Sequence, residues 1–332
     1  MKAVFLQPRS SWSLALRSDT LWALLMVAIR HVWGEQRAQQ VADAALDGEP
    51  PMVVSSAMEY VLPDADRHTS NGNHQSRGQR LLLLPTPLVP PVGEPARTLE
   101  EEERLKSHRT QSVLSLEQWS RRIRGETVEP EPIEHVTHFA TADTIHVAID
   151  RLRMDILQRR DTSELRRGRR FVLTETFARD AGLWFLVEGD MALVEPALRY
   201  LEHVGFGTDS SVGKGHFAVT IEDFEPPHVD EPTHMVTLSL YRPTPDELAW
   251  YRQHPTRLWY EVEFRRGKRS PQFGPVVSFE KRSVACFREG SVLPFRQQRF
   301  WGRATVVADA GDHKVLHAGF ALMIPARLGE IA

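Results

Sequence analysis

The chain has 332 residues, of which 41% are hydrophobic and 26% charged. This is an ordinary globular composition, and the length predicts two domains. The single cysteine, Cys286, excludes a disulfide framework and a cysteine-based zinc cluster. The longest apolar run, 21–29, is shorter than the about 20 residues that a membrane span needs. We therefore expect a cytoplasmic protein with no membrane contact.

The charge is uneven along the chain. The formal net charge of −3 argues against a uniformly basic nucleic-acid coat, but the six lysines leave 35 arginines among the 41 basic residues. Residues 151–170 carry eight arginines against three acids, and 257–303 carry eleven basic residues against four acids. Such stretches indicate either an anionic partner or a solvated face, and charge alone favours neither.

In chain order, the first part of the sequence predicts strands and helices separated by loops. They are a strand over 2–7, a helix capped by Ser18 or Asp19 that ends at Gly34, a helix over 35–46, an extended segment over 52–61, a flexible polar loop over 63–80, an extended segment over 81–91, and a helix with a Ser115 and Gln118 capping box that ends at Gly125.

The rest of the sequence predicts mainly strands. They are 135–149 and 171–177 as the arms of a long hairpin with a basic tip, strand 183–188, helix 190–203, strands 216–222 and 235–241, a helix with a Thr244 and Glu247 capping box, and strands 258–264, 276–279, 284–288, 300–308 and 315–323.

A strand–helix–strand–strand–helix–strand order, present twice, is the ferredoxin-like pattern, which RNA-recognition domains share. The sequence therefore predicts an α+β fold with two ferredoxin-like (RRM-like) domains, a long hairpin and loop insertions. One domain covers 1–225 with an insertion at about 63–134, and the other covers 226–332. Pro226 and Pro227 mark the boundary.

The sharpest local motif is a glycine-rich segment. Glycines let backbone N–H groups approach an anion closely, and hydroxyls and a lysine add donors. The residues are Gly205, Gly207, Ser210, Ser211, Gly213, Lys214 and Gly215. Their spacing is not that of a phosphate-binding loop of nucleotide hydrolases. The alternative is a mobile turn after a helix.

A second motif is the arginine cluster, which on a hairpin tip would reach phosphates or else contact another protein. It consists of Arg159, Arg160, Arg166, Arg167, Arg169 and Arg170.

Signals for catalysis and metal binding are weak. The closest histidine pairs, His135 with His138 and His313 with His317, come without a third ligand, so we expect no metal and no cofactor. Cys286 lies in an apolar strand and is expected in the core.

The chain resembles the fourth Csm subunit of type III-A CRISPR effector complexes, a member of the RAMP superfamily. The resemblance is carried by an ordered set of segments, which are 18–36, 50–63, 81–91, 104–126, 146–152, 182–190, 205–217, 236–248, 288–295 and 317–325.

This resemblance implies a non-catalytic RNA-binding subunit. It would hold the repeat-derived 5′ tag of the CRISPR RNA, connect the large polymerase-like Csm subunit to the neighbouring backbone RAMP subunit, and push a thumb hairpin into the guide–target duplex. The thumb corresponds to about 146–177. Carried over to this sequence, Arg17, Ser18 and Asp19 would lie near the tag, 205–216 with His216 would line the RNA path, and Arg151 to Arg170 would form the thumb and its base.

Two alternatives stay open. One is a RAMP-type endoribonuclease that processes CRISPR precursor RNA, for which His216 and His146 are the candidate acid–base residues. The other is an assembly subunit whose arginines bind acidic protein surfaces.

Overall fold

The computed structural model describes residues 1–62, 80–89, 112–128, 138–147, 149–150, 155–156, 170–207, 209–267, 281–309 and 314–328. The helices in these ranges are α1 (Ser18–Trp33), α2 (Glu35–Leu46), α3 (Leu116–Ile123), α4 (Met191–Val204) and α5 (Pro245–Gln253).

The strands up to the middle of the chain are β1 (Lys2–Pro8), β2 (Met52–Val54), β3 (Met58–Val61), β4 (Leu81–Pro85), β5 (Val113–Ser115), β6 (Phe139–Val147), β7 (Ile149–Asp150), β8 (Asp155–Ile156), β9 (Arg170–Ala178), β10 (Ala181–Gly189) and β11 (Phe217–Asp223). The later strands are β12 (His234–Thr237), β13 (Val262–Arg265), β14 (Val284–Phe287), β15 (Val292–Pro294), β16 (Ala304–Asp309), β17 (Lys314–Ala318) and β18 (Met323–Ala326).

The first half of the chain is organised around β1 and β10, two neighbouring inner strands of an antiparallel sheet. Its strand order is β11-β1-β10-β3-β4-β5, with β2 also paired to β10. β1 is buried from Ala3 to Leu6 because α1 and α4 cover the sheet. In chain order, β1, α1, β2 with β3, β10, α4 and β11 give the strand–helix–strand–strand–helix–strand sequence expected for this half.

The second half is built from smaller antiparallel units. β12 is the middle strand of a three-stranded sheet with β15 and β18, and β13–β14 and β16–β17 are two-stranded. A Thr244 and Glu247 capping box begins α5, as the sequence predicts. The α+β class is therefore confirmed, whereas a second complete ferredoxin-like unit stays a prediction.

One hydrophobic core takes in both halves. Trp184 and Phe185 of β10 are fully buried, and the same cluster includes Val236, Leu322 and Ile324 from the second half. A smaller cluster surrounds Tyr241 and Tyr251, whose hydroxyl oxygens are 2.6 Å apart.

The beginning of α1 corrects one sequence expectation. The cap position is Arg17, which makes no capping hydrogen bond with its side chain, rather than Ser18 or Asp19. The Ser18 hydroxyl instead accepts a hydrogen bond from the Leu240 backbone N–H at 2.9 Å. A partner 222 residues away therefore replaces the local cap.

Other boundaries agree with the sequence or differ by a few residues. The end of α1 and both bounds of α2 are as predicted, and the capping box of α3 is present. β15 was missed because Val292–Pro294 is too short to show alternation. The predicted strand 276–279 and the polar loop 63–80, apart from residue 80, lie outside the described residues. No helix in the described part of the chain could cross a membrane, by length and hydropathy together.

Candidate nucleic-acid interface

Two loops that the sequence singled out lie against each other. We call residues 9–17 the first loop and residues 205–216 the glycine-rich loop. The Gly215 N–H donates to the Ser11 carbonyl oxygen at 2.8 Å, and the Arg9 N–H donates to the His216 carbonyl oxygen at 2.8 Å. The His216 N–H donates to Ser10 Oγ at 3.0 Å. Three hydrogen bonds thus join loops about 200 residues apart.

Glycine is required at the contact itself. Gly215 has φ +69°, and a Cβ there would overlap the Phe206 carbonyl oxygen. The two residues are also hydrogen-bonded, because the Phe206 N–H donates to the Gly215 carbonyl oxygen at 2.7 Å. Gly205 ends α4 with φ +91°, as the sequence predicts.

The tip of the glycine-rich loop is open to solvent. Ser210 and Ser211 lie in a short 3-10 helix over Ser210–Val212. Ser211 and Gly213 are exposed, and Gly207 is half-buried. Gly213 has φ +84° with no atom within 4 Å of where its Cβ would lie. The Gly213 N–H donates to the Ser210 carbonyl oxygen at 3.0 Å, so the exposed donor at the tip is the Ser211 hydroxyl.

The two loops also meet the base of a hairpin. β6 and β9 pair along their whole length, with Phe139 opposite Ala178 and Val147 opposite Arg170. The Trp12 N–H donates to the Thr176 carbonyl oxygen at 3.1 Å, and the Thr176 N–H donates back at 2.7 Å. The first loop is therefore attached to β9 beside its residue 175.

Glu175 joins all three elements. Its carboxylate accepts hydrogen bonds from Ser11 Oγ and Thr144 Oγ1, both at 2.6 Å, and it pairs with the Lys214 ammonium. The side chain is 3% exposed. The hydrogen bond from Lys214, followed by those from Ser11 and Thr144, lowers the pKa of Glu175 from 4.5 to about 2, so the carboxylate is charged at neutral pH.

An imidazole lies at the edge of this junction. His146 Nε2 is 2.9 Å from Thr144 Oγ1 and 3.9 Å from the Glu175 carboxylate. Its ring stacks on Phe171 with centroids 5.4 Å apart and 18° between the planes. Phe171 is 47% exposed. His146 thus lies beside Glu175, and His216 joins the same junction through its backbone.

The residues at the beginning of α1 that were predicted to lie near RNA contact the second half of the chain instead. Arg17 donates to Glu263 at 2.9 Å and to Glu289 at 2.7 Å, and its side chain is 23% exposed. Burial lowers the pKa of Arg17, but its bonds to Glu289 and Glu263 outweigh that effect and raise it. Ser18 is 3% exposed, and Asp19 accepts from Arg265 Nε at 3.0 Å.

Most of the predicted arginine cluster cannot be placed. Arg151, Arg159, Arg160, Arg166, Arg167 and Arg169 lie outside the described residues, and only the backbone of Arg170 is described, in β9. The predicted hairpin pairing is present. The assignment of these arginines to RNA stays a prediction.

The sequence analysis missed the acidic partners of these loops. Glu175 lies in an alternating strand with nothing local to mark it, since its partners are 31 to 164 residues away. Glu263, a partner of Arg17, is 246 residues away from it in the sequence. Cys286 is buried, as expected, and its Sγ lies 3.3 Å from His317 Nε2. His135 and His313 lie outside the described residues.

Comparison with known proteins finds two matches to Csm4 proteins. A model of the CRISPR Csm4 C-terminal domain matches residues 230–326. The Csm4 protein of the CRISPR system of Thermococcus onnurineus (strain NA1) is 28% identical over 281 residues, which is 81% of this chain and 82% of that protein. These matches confirm the resemblance to the fourth Csm subunit that the sequence indicated.

Solved structures share the fold of this chain. A chain in the crystal structure of a Csm1–Csm4 cassette in complex with pppApA matches with a TM-score of 0.61 and 20% identity, covering 99% of this chain and 98% of the other. A chain of a Csm3–Csm4 subcomplex from a type III-A interference complex matches with a TM-score of 0.61 and 14% identity, covering 98% and 100%.

Proposed function

We propose that this chain is a non-catalytic RNA-binding subunit of a type III-A interference complex. It holds the 5′ tag of the CRISPR RNA and links the large polymerase-like subunit to the backbone filament. The observation that carries the proposal is the junction at Glu175, where the first loop, the glycine-rich loop and the base of the β6–β9 hairpin meet. An RNA strand that follows this junction touches all three elements.

The exposed part of the junction suits an RNA backbone. Ser211 is exposed, and hydroxyl donors contact phosphates without reading the bases. The exposed Phe171 ring, already stacked on His146, offers a surface on which a base stacks. Lys214 serves a different purpose, because its ammonium is paired with Glu175.

The hairpin is the proposed thumb, and its tip carries the predicted charge. Residues 151–170 hold eight arginines on the segment between β6 and β9. Arginine gives bidentate phosphate contacts and stacks on bases, which suits insertion into a guide–target duplex whose sequence is read by base pairing.

The proposed partners are those named for related proteins. The matched structures contain Csm1 with Csm4, and Csm3 with Csm4, and we extend both partners to this chain. We also propose that 1–225, with the insertion at 63–134 and the thumb at 146–177, is one domain. The three-stranded β12 sheet and α5 then belong to a second ferredoxin-like domain over 226–332.

The first experiment is affinity purification of the tagged chain from its host, followed by sequencing of the bound small RNAs. RNAs with one shared 5′ tag and diverse spacers, together with the large subunit, support the proposal. Repeat fragments with fresh 3′ ends and no partner proteins would point to a processing enzyme. Partner proteins without enriched RNA would point to an assembly subunit.

A charge-reversal variant tests the thumb. Replacing Arg166, Arg167, Arg169 and Arg170 by Glu should weaken target binding and make binding fall more steeply with salt. The matched control reverses four arginines outside the hairpin, namely Arg30, Arg37, Arg252 and Arg299. Guide occupancy and target binding equal to the control would refute the thumb assignment.

A further inference from the structure

The beginning of α1 lies against a set of positive side chains from the second half of the chain. We call Arg242, Arg265, Lys281 and Arg303 the basic cluster. Lys281, Arg265 and Arg303 belong to the basic stretch of the sequence that the junction at Glu175 does not use. The acid in their midst is Asp19, whose side chain is 13% exposed.

Asp19 contacts one member of the basic cluster, Arg265, directly. Its carboxylate accepts hydrogen bonds from Arg265 Nε at 3.0 Å and from Arg265 Nη2 at 3.2 Å. On its other side, His317 Nδ1 is 3.8 Å away, and His317 Nε2 is 3.3 Å from Cys286 Sγ. A bidentate pair of this kind has the geometry in which arginine also holds phosphate.

Arg242 and Arg303 complete the cluster through the backbone. The Phe287 N–H donates to the Tyr241 carbonyl oxygen at 2.7 Å, which places Arg242 beside Cys286. The Arg303 N–H donates to the Arg242 carbonyl oxygen at 3.2 Å. Two guanidinium groups are thus attached to neighbouring backbone segments.

These two arginines have no acid to neutralise them in the described part of the chain. No carboxylate there lies within 4.0 Å of either guanidinium, and Arg303 Nε is buried without a hydrogen-bond partner among those residues. Burial, followed by the charge of Arg303, lowers the pKa of Arg242, and burial lowers the pKa of Lys281. Burial, with Arg242, Arg265 and Lys281, also keeps the pKa of His317 low against the opposing effect of Asp19.

The charges around this point therefore do not balance. Arg265 pairs with Asp19 and Lys281 interacts with it electrostatically, whereas Arg242 interacts with Arg303 and Cys286. Glu263, 3.5 Å from Arg265, is shared with Arg17. Desolvating unpaired cations is costly, so such an arrangement is stabilised by an anion that brings its own negative charge. The N-terminus of α1, a 16-residue helix, adds to the positive potential.

We propose that the basic cluster is a binding site for a phosphate of single-stranded RNA, and that the Asp19 carboxylate occupies it in the free chain. RNA binding replaces the Arg265–Asp19 pair by an Arg265–phosphate pair and brings Arg242, Lys281 and Arg303 to the same anion. Asp19 acts as a competitor that lowers affinity for RNA in general. This inference rests on the proposed RNA-binding function and names a second, separate contact for it.

The test uses the full chain and a single-stranded RNA with the host's repeat-derived tag. The Arg242→Gln/Arg303→Gln double variant is compared with the control Arg252→Gln/Arg299→Gln, in which both arginines are exposed. Filter binding should show a roughly tenfold affinity loss for the first variant only. Because single-strand binding changes with salt by about 0.7 logarithmic units per phosphate contact, losing two contacts should make the slope shallower by about 1.4.

Asp19→Asn tests the competitor role, because it keeps the shape of the side chain and removes its charge. The variant should bind RNA several-fold more tightly than the wild type. Tighter binding supports the inference, and binding no tighter than wild type overturns the role of Asp19, with a thermal melt of the variant to establish that it is folded.

The outcomes separate the two proposals. A double variant that binds like its control, while the wild-type chain binds the tagged RNA, overturns the phosphate site and leaves the proposed function standing. A wild-type chain that does not bind the RNA overturns the proposed function.

Discussion

The junction at Glu175 and the basic cluster at Asp19 are both places where one carboxylate is surrounded by donors. At Glu175 a single cation, Lys214, faces the acid, and two hydroxyl groups complete its hydrogen bonds. At Asp19 the positive side chains outnumber the acid, and Arg242 and Arg303 have no acid partner among the described residues. The charge of Glu175 is balanced by its partners, whereas the positive charge around Asp19 exceeds the charge of its carboxylate.

This difference separates two roles that look alike in sequence. A charged pair that is fully hydrogen-bonded fixes the geometry of the loops it joins and leaves little free charge for a ligand. A group of cations with too few acids produces a positive potential that attracts an anionic ligand. Lys214, which the sequence suggested for RNA, is paired with Glu175, whereas Arg242 and Arg303 have no acid partner among the described residues.

The largest expected effect tests whether the glycine-rich loop is a rigid part of its junction. Gly215→Ala introduces a Cβ that overlaps the Phe206 carbonyl oxygen at φ +69°, so it should lower the free energy of unfolding by about 3 kcal/mol. Gly213→Ala meets only the backbone cost at φ +84° and should lower it by about 1 kcal/mol. Urea unfolding of both variants measures the difference, and equal losses would mean that the loop can move away from Phe206.

The next effect concerns the contact between the halves, beside the basic cluster. Arg17→Ala leaves the Glu289 carboxylate, whose side chain is 11% exposed, with the Ser56 hydroxyl but without the Arg17 cation, and should cost about 2 kcal/mol of unfolding free energy. A double-mutant cycle with Glu289→Ala isolates the pair. The control cycle uses Arg288 and Glu261, an exposed pair at 2.8 Å whose coupling should be below about 1 kcal/mol. Equal coupling in the two cycles would show that burial adds nothing to the Arg17 pair.

The sequence was sufficient for elements whose causes are local. The α3 and α5 capping boxes, the glycine that ends α4 and the core position of Cys286 each follow from residues within a few positions of one another. The partners of Arg17, Ser18 and Asp19 do not, because Glu289, Leu240 and Arg265 are more than 200 residues away. Arg17 looked free for RNA only because its two acids lie in another part of the sequence.

A smaller effect concerns the pH dependence of stability that the Glu175 carboxylate causes. Because the folded-state pKa of Glu175 is lowered from 4.5 to about 2, its ion pair stabilises the fold above pH 4.5, and this stabilisation is lost as the pH falls towards 2. Glu175→Gln should therefore be less stable than wild type at neutral pH and should lose less stability between about pH 5 and pH 2. Thermal melts across that range measure both, and wild-type and variant curves that run parallel would contradict the prediction.

The smallest effect concerns Cys286, which lies between the core and the basic cluster. Its side chain is 1% exposed, and burial, followed by the charge of Asp19, raises the pKa of its thiol to about 12. The thiol should therefore stay protonated and resist alkylation by iodoacetamide in the folded protein. Cys286→Ala removes only a small buried group and the contact with His317, so it should cost about 1 kcal/mol. Rapid labelling without denaturant would mean that β14 opens and that the cations beside Asp19 are more exposed than their burial indicates, which would weaken the case for a water-poor phosphate site there.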